Sequence, residues 1–111
     1  MRVEFLNIEK GMPSAQDAMF DLKKSIVLLK NRGCKCVVII HGYGSTGKGG
    51  ILCKRARQYL KAQENNKTIK TVIFGEDFEM FNIKAMELKN KYIELNSVYN
   101  RHNNGITIVE L

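Results

Sequence analysis

Apolar residues fall into short runs and helical stripes that alternate along this chain. Runs rich in Val, Ile and Phe predict four β-strands, over residues 2–9, 36–40, 70–74 and 106–111. Between them, apolar residues recur at helical spacing, which predicts helices over residues 14–31, 51–62 and 82–96. The order β-α-β-α-β-α-β favours an α/β two-layer sandwich. We expect a four-stranded mixed sheet packed by two helices plus one extra C-terminal helix, in a single domain spanning residues 1–111.

Local signals support the helix boundaries. Ser14 is a favourable N-cap, with Asp17 three residues later, and Gly33 suits the left-handed position that ends a helix. The third helix carries an apolar stripe, predicted to cover either the core or an edge of the sheet, formed by Phe81, Ala85, Leu88, Tyr92 and Leu95. The same helix provides a second expectation, a homodimer formed through residues 81–96.

A glycine-rich loop follows the second strand and precedes the second helix. Its glycines are Gly42, Gly44, Gly47, Gly49 and Gly50. A strand, a glycine loop and a helix start together present free backbone N–H groups to an anion such as phosphate. The segment from Gly42 to Lys48 fits a P-loop, but Gly49 stands where Ser or Thr would hold magnesium. A GxGxxG dinucleotide site is the second interpretation, although 111 residues are too few for the six-stranded fold. The third is a site for nucleic-acid backbone phosphate.

The second helix favours the third interpretation. A helical wheel places Lys54, Arg57 and Lys61 on one side, with Arg55 at the flank, opposite an apolar side. Cations near a helix N-terminus oppose the helix dipole, which suggests an external anion. The alternative is an ordinary solvated face. We expect glutamate at positions 54 and 57 to abolish binding without unfolding the domain.

Charge and composition narrow the function classes. The net charge is +7, with 11 basic and 4 acidic residues in 1–60 but 7 of each in 61–111. Concentrated positive charge favours polyanions, although an acidic protein or anionic lipid would use it too. Three cysteines without CxxC spacing suggest a reducing cytoplasm and no metal site. No apolar run of membrane-spanning length and no signal peptide is present, so we expect a cytoplasmic protein without membrane contact.

Two motifs resemble those of a known family. Val38-Ile39-Ile40-His41-Gly42-Tyr43-Gly44, together with the ending Gly105-Ile106-Thr107-Ile108-Val109-Glu110-Leu111, resembles the small MutS-related (Smr) domain. The resemblance covers most of the chain apart from about residues 76–104. It implies nucleic-acid binding and, in some members, nicking of DNA or cleavage of RNA.

One departure concerns catalysis. The family's first strand normally carries an LDxH motif whose His is implicated in cleavage, whereas this chain has Leu6-Asn7-Ile8-Glu9. If cleavage survives, His41 and Glu9 are the candidate catalytic pair, because adjacent strands would bring their ends together. Glu9 would then act as a base or hold Mg²⁺ with Asp77; otherwise no cofactor is expected.

The leading hypothesis is therefore a nucleic-acid-binding Smr-like domain, with DNA or RNA, in structured form, as partner. Gly42, Gly44 and Gly47 would admit phosphates, and Lys48, Lys54, Arg55 and Arg57 would supply charge. Tyr43 would stack on an unpaired base or fold back onto the sheet. His41 would donate to a phosphate or cap the strand end. The alternatives are a structure-specific endonuclease and a protein-interaction module.

Overall fold

The computed structural model describes residues 2–43 and 49–111. Within these ranges the chain forms four strands: β1 (Val3–Asn7), β2 (Cys36–Ile40), β3 (Thr71–Phe74) and β4 (Ile106–Glu110). The helices are α1 (Ala15–Asn31), α2 (Gly49–Asn65) and α3 (Ile83–Lys91), and short 3-10 turns cover Gly75–Asp77 and Ile93–Ser97. The predicted order of strands and helices is confirmed.

The sheet is mixed, as predicted. Its strand order is β1-β2-β4-β3, with β1 parallel to β2 and β4 antiparallel to both of its neighbours. The carboxyl ends of β1, β2 and β3 therefore lie at the same edge of the sheet as the start of β4. Loops that follow three strands meet there, although they are far apart in sequence.

Helices cover both faces of the sheet. Val37 and Ile39 of β2 belong to one buried cluster, which also contains Leu22 of α1 and Leu60 of α2. Their neighbours along the strand, Cys36 and Val38, point the other way, because side chains alternate along a strand. They join the cluster built on α3 and its following turn, formed with Phe78, Ala85, Leu88, Tyr92 and Leu95. The extra C-terminal helix thus covers the second face, which explains why β2 is apolar at every position.

The helix ends show which local signals were correct. The Ser14 hydroxyl accepts a hydrogen bond from the Asp17 backbone N–H at 3.1 Å, and Gly33 has a φ of +85°, as predicted. The third helix is shorter than expected: α3 ends before Tyr92, whose extended backbone gives way to the 3-10 turn. Phe81 does not join the core. It precedes the N-cap Asn82 and is 85% exposed.

None of the helices in residues 2–43 and 49–111 has the combination of length and apolarity that crossing a membrane requires.

Candidate functional site

The loop after β2 is fixed at its start by the loop before β4. The backbone N–H groups of His41 and Gly42 both donate to the carbonyl oxygen of Gly105, each at 3.0 Å. Gly42 has a φ of +74°, a left-handed conformation that favours glycine. The first residues of the glycine loop are therefore held against the sheet edge.

His41 is completely buried and hydrogen-bonded through both ring nitrogens. Nδ1 lies 2.7 Å from the carbonyl oxygen of Gly42, and Nε2 lies 2.8 Å from the Thr107 hydroxyl oxygen. A carbonyl only accepts, so Nδ1 carries the hydrogen and Nε2 accepts from Thr107. Burial lowers the pKa of His41, which favours this neutral ring. The imidazole connects the strand end to the loop, and this geometry supports the capping role rather than phosphate donation.

Arg57 connects α2 to the ends of β3 and β4. Its Nε donates to the Thr107 hydroxyl at 3.1 Å, and its two terminal nitrogens bind the Glu76 carboxylate at 2.9 and 2.7 Å. Nη2 also donates to the carbonyl of Ile106 at 3.0 Å, and the guanidinium lies 4.2 Å from the centre of the Phe74 ring. The side chain is only 13% exposed. The prediction that Arg57 lies on an exposed basic side of α2 is therefore wrong.

Glu76 has a role that the sequence did not suggest. In the acidic segment after β3, the sequence suggested a metal-binding role only for Asp77, whereas the Glu76 carboxylate pairs with Arg57. Hydrogen bonding to that guanidinium lowers the pKa of Glu76. Residues 57, 76 and 107 are too far apart in sequence for spacing to reveal their contact. The signal available was Thr107 itself, a polar residue between two apolar positions of a buried strand.

Two glycines allow backbone to approach closely at this edge. A Cβ atom on Gly75 would overlap the carbonyl oxygen of Asn103 and lie 2.5 Å from the Ile106 side chain. A Cβ atom on Gly42 would overlap the carboxylate of Glu9. Glu9 and the end of β2 are thus neighbours, as the adjacent strands predicted. The His41 ring, however, is bonded to Thr107 and Gly42 instead of Glu9.

The exposed part of the site lies on the side of α2 that faces away from the sheet. Tyr43 is 64% exposed, so it does not fold back onto the sheet. Lys54 and Arg55 are exposed, and within the described ranges neither forms an ion pair. The Lys61 Nζ lies 2.6 Å from the Oε1 of Glu64, so this cation is already paired. The remaining predicted contacts, Gly44, Gly47 and Lys48, lie outside the described residues.

Two open depressions flank this exposed side of α2. One, of about 590 Å³, is lined by Tyr43, Gly50, Cys53, Lys54, Arg57, Gln58, Lys61 and Phe74. The other, of about 600 Å³, lies between α1 and α2 and is lined by Gln16, Met19, Phe20, Lys23, Arg55, Gln58 and Tyr59. Among the described residues, no three His, Cys, Asp or Glu side chains are grouped so as to hold a metal ion.

Comparison with known proteins identifies the family. A family model described as "Smr domain" matches residues 10–76, which is more than half of the chain. The chain belongs to the Smr domain family. The match includes the end of β2, its glycine loop and all of α2, and it begins one residue after Glu9.

A solved structure supports the same fold. The crystal structure of the Smr domain of Thermus thermophilus MutS2 is similar over 100% of this chain and 98% of that one, with a TM-score of 0.56 and 14% sequence identity. At this identity the likeness shows the Smr fold alone. No curated protein matches the chain significantly.

Proposed function

We propose that this Smr domain binds nucleic acid through its glycine loop and the exposed cations of α2. The observation that carries the proposal is the position of Lys54 and Arg55. Both are exposed in the second turn of the helix, whose first turn contains no acidic residue, and neither has an acidic partner within the described residues. An external polyanion would neutralise them. Family membership supports the same ligand class.

The two parts of the proposed interface have different tasks. Gly42 lets the backbone turn where the loop leaves the sheet, and the predicted contacts Gly44, Gly47 and Lys48 would follow it toward a phosphate. Lys54 and Arg55 would contact neighbouring phosphates. Such contacts position the nucleic acid without specifying a sequence. Arg57 would stabilise the fold beneath this surface, since its guanidinium is already bonded to Thr107 and Glu76.

The test is a titration with two pairs of charge-reversal variants. The first variant combines Lys54→Glu with Arg55→Glu. The matched control combines Lys35→Glu with Lys67→Glu, two exposed lysines that precede β2 and β3 at the opposite edge of the sheet, with the same change in net charge. Binding to labelled structured RNA and branched DNA is measured across a salt series. We expect the first variant to lose roughly tenfold or more in affinity, and the slope of log K against log salt to flatten by about 1.5.

The control decides between a local interface and a general charge effect. If both variants lose affinity equally, the net charge of the domain is responsible and the proposed interface is wrong. Arg57→Glu is unsuitable for this purpose, because it would break the contacts with Glu76 and Thr107 and destabilise the domain. Thermal unfolding of each variant checks that the fold is retained.

The structure leaves fewer candidate catalytic residues for the endonuclease alternative than the sequence suggested. His41 has no free ring nitrogen and no exposure, so the pair would depend on Glu9, which is exposed beside Gly42. Adding Mg²⁺ to the same incubations and scoring nicked products tests this alternative. Cleavage that disappears in Glu9→Gln would establish it.

A further inference from the structure

We propose that an unpaired nucleic-acid strand crosses the exposed side of α2, with one base stacked in each of the two depressions that flank it. This inference rests on the proposed function and adds the form of the ligand. We call the depression containing Tyr43 and Phe74 the loop-side depression, and the one containing Phe20 and Tyr59 the α1-side depression.

Each depression combines aromatic side chains with positive charge. In the loop-side depression, the exposed Tyr43 ring lies with Lys54, and the partly buried Phe74 ring forms the floor, with the Arg57 guanidinium over one face. In the α1-side depression, Phe20 and Tyr59 lie beside Arg55, and the Lys23 ammonium is 5.3 Å from the centre of the Tyr59 ring. Aromatic faces that accept bases, together with cations that follow the backbone, are the recurring features of single-strand binding surfaces.

The two depressions form one continuous surface. Gln58 lines both of them, and the cations Lys54 and Arg55 are neighbours in sequence on the same helix. Their volumes, about 590 and 600 Å³, are within the range of roughly 300–1,000 Å³ typical of small-ligand sites, so each is large enough for one nucleotide. The Gln58 amide can both donate and accept, so its chemistry suits hydrogen bonds to the edge of a base in either depression.

An unpaired strand fits this surface better than a duplex. Bases in a duplex are stacked on each other, so their faces cannot reach aromatic side chains on a protein. Tyr43 and Phe20, at 64% exposure each, present ring surface to solvent, where it is available for stacking. The positive charges of Lys54 and Arg55 complement the phosphates that connect two stacked bases.

The experiment compares single strands with duplexes of the same length. Oligonucleotides of about 12 nucleotides, as oligo(dT), oligo(U) and a mixed-sequence duplex, are titrated by fluorescence anisotropy against the full chain. The variants are Tyr43→Ala and Phe20→Ala, with Tyr43→Phe keeping an aromatic ring. Phe5→Ala is the control, since Phe5 is an exposed aromatic residue of β1 that lines neither depression.

We expect Tyr43→Ala and Phe20→Ala each to weaken single-strand binding by about tenfold, while Tyr43→Phe and Phe5→Ala bind like the natural chain. Duplex binding should change little in any of them. Comparing oligo(dT) with oligo(U) distinguishes DNA from RNA as the source of the strand.

Each contrary result has a distinct meaning. Single-strand binding that is unaffected by both alanine variants overturns this inference but leaves the proposed function intact. Equal losses for duplex and single strand also overturn it, because the side chains would then contribute to a general surface. If the natural chain binds neither form, this inference is overturned, and if it also fails to bind the structured RNA and branched DNA, the proposed function fails as well.

Discussion

The Thr107 hydroxyl joins two side chains that come from different parts of the chain. It accepts a hydrogen bond from Arg57 and donates one to His41. Through it, the ion pair of α2 with Glu76 is connected to the start of the glycine loop. Buried polar groups are costly when unpaired, and within the described residues every buried side-chain nitrogen and oxygen has a partner. Loss of one member should therefore affect the others.

The neutral state of His41 predicts a dependence of stability on pH. Burial lowers the pKa of His41 in the folded chain, so at mildly acidic pH the unfolded chain binds a proton that the folded chain does not. The stabilisation is complete above the ordinary histidine pKa of about 6.5 and is lost as pH falls toward the folded value. Urea unfolding between about pH 7.5 and about pH 5 should show this loss.

The chain's other histidine provides a matched control. His102 is exposed in the loop before β4, so His102→Asn should keep the pH profile of the natural chain. His41→Asn should be less stable at neutral pH by about 1–3 kcal/mol and should lose less stability on acidification. Should His41→Asn fail to fold, NMR titration of the two imidazoles in the natural chain replaces it. An imidazole of His41 that protonates at an ordinary pKa would contradict the argument.

At the scale of elements, α2 has two different basic sides. One contains Arg57, which points toward the sheet and stabilises the turn after β3. The other contains Lys54 and Arg55, which point to solvent. Periodicity alone grouped Arg57 with Lys54, because three residues along a helix place side chains nearly one above the other. The partner of Arg57 is Glu76, which lies in the turn after β3, and a helical wheel of α2 does not include that turn.

The turn after β3 depends on the absence of a side chain at Gly75. We expect Gly75→Ala to destabilise the domain by about 1–3 kcal/mol, because the new methyl group would overlap the Asn103 carbonyl and the Ile106 side chain. Gly50→Ala is the control. A Cβ atom at Gly50 meets nothing within 4 Å, and alanine favours helix, so stability should be unchanged or rise by up to about 1 kcal/mol.

Thermal and urea unfolding of the two glycine variants measures this difference. Equal effects would mean that glycine flexibility, not the close approach at residue 75, determines the response.

Sequence patterns were sufficient for the elements whose signals are local. The strand over 36–40, the N-cap at Ser14 and the left-handed Gly33 all follow from neighbouring residues. The third helix was less well predicted, since its apolar stripe continues through the 3-10 turn, where Leu95 remains buried without a continuous α-helix. Periodicity identifies the buried side but not a change in helix type.

The candidate site was only partly predictable, because local sequence patterns do not show which distant residues come together. His41, Gly42 and the loop position follow from the strand-loop-helix order. The ring's partner Thr107 and the carboxylate of Glu76 depend on strand order in space, with β4 inserted between β2 and β3. The α1-side depression depends on how α1 packs against α2, which brings Phe20 beside Tyr59.

On the scale of the whole molecule, exposed apolar side chains collect near the start of α3. Met80, Phe81 and Ile83 are 58%, 85% and 69% exposed. This surface lies within or beside residues 81–96, for which the sequence suggested a homodimer, and dimerisation remains a prediction. If the chain dimerises there, Phe81→Asp with Ile83→Asp should yield monomers in analytical ultracentrifugation.

The control for this prediction is Phe20→Asp, which places the same charge on an exposed aromatic position of α1. Dissociation by both variants would indicate unspecific association. A natural chain that sediments as a monomer across the concentration range would contradict the prediction.

The central position of β4 affects the order in which this sheet can assemble during synthesis. β4 lies between β2 and β3 but is made about 30 residues after β3. Until β4 emerges, β3 has no strand beside it, and one edge of β2 is open to other chains. Closing the sheet also requires pairing strands that are far apart in sequence, which slows folding. A ribosome that pauses between β3 and β4 would therefore hold an open β-sheet, and chaperone protection would matter most at that stage.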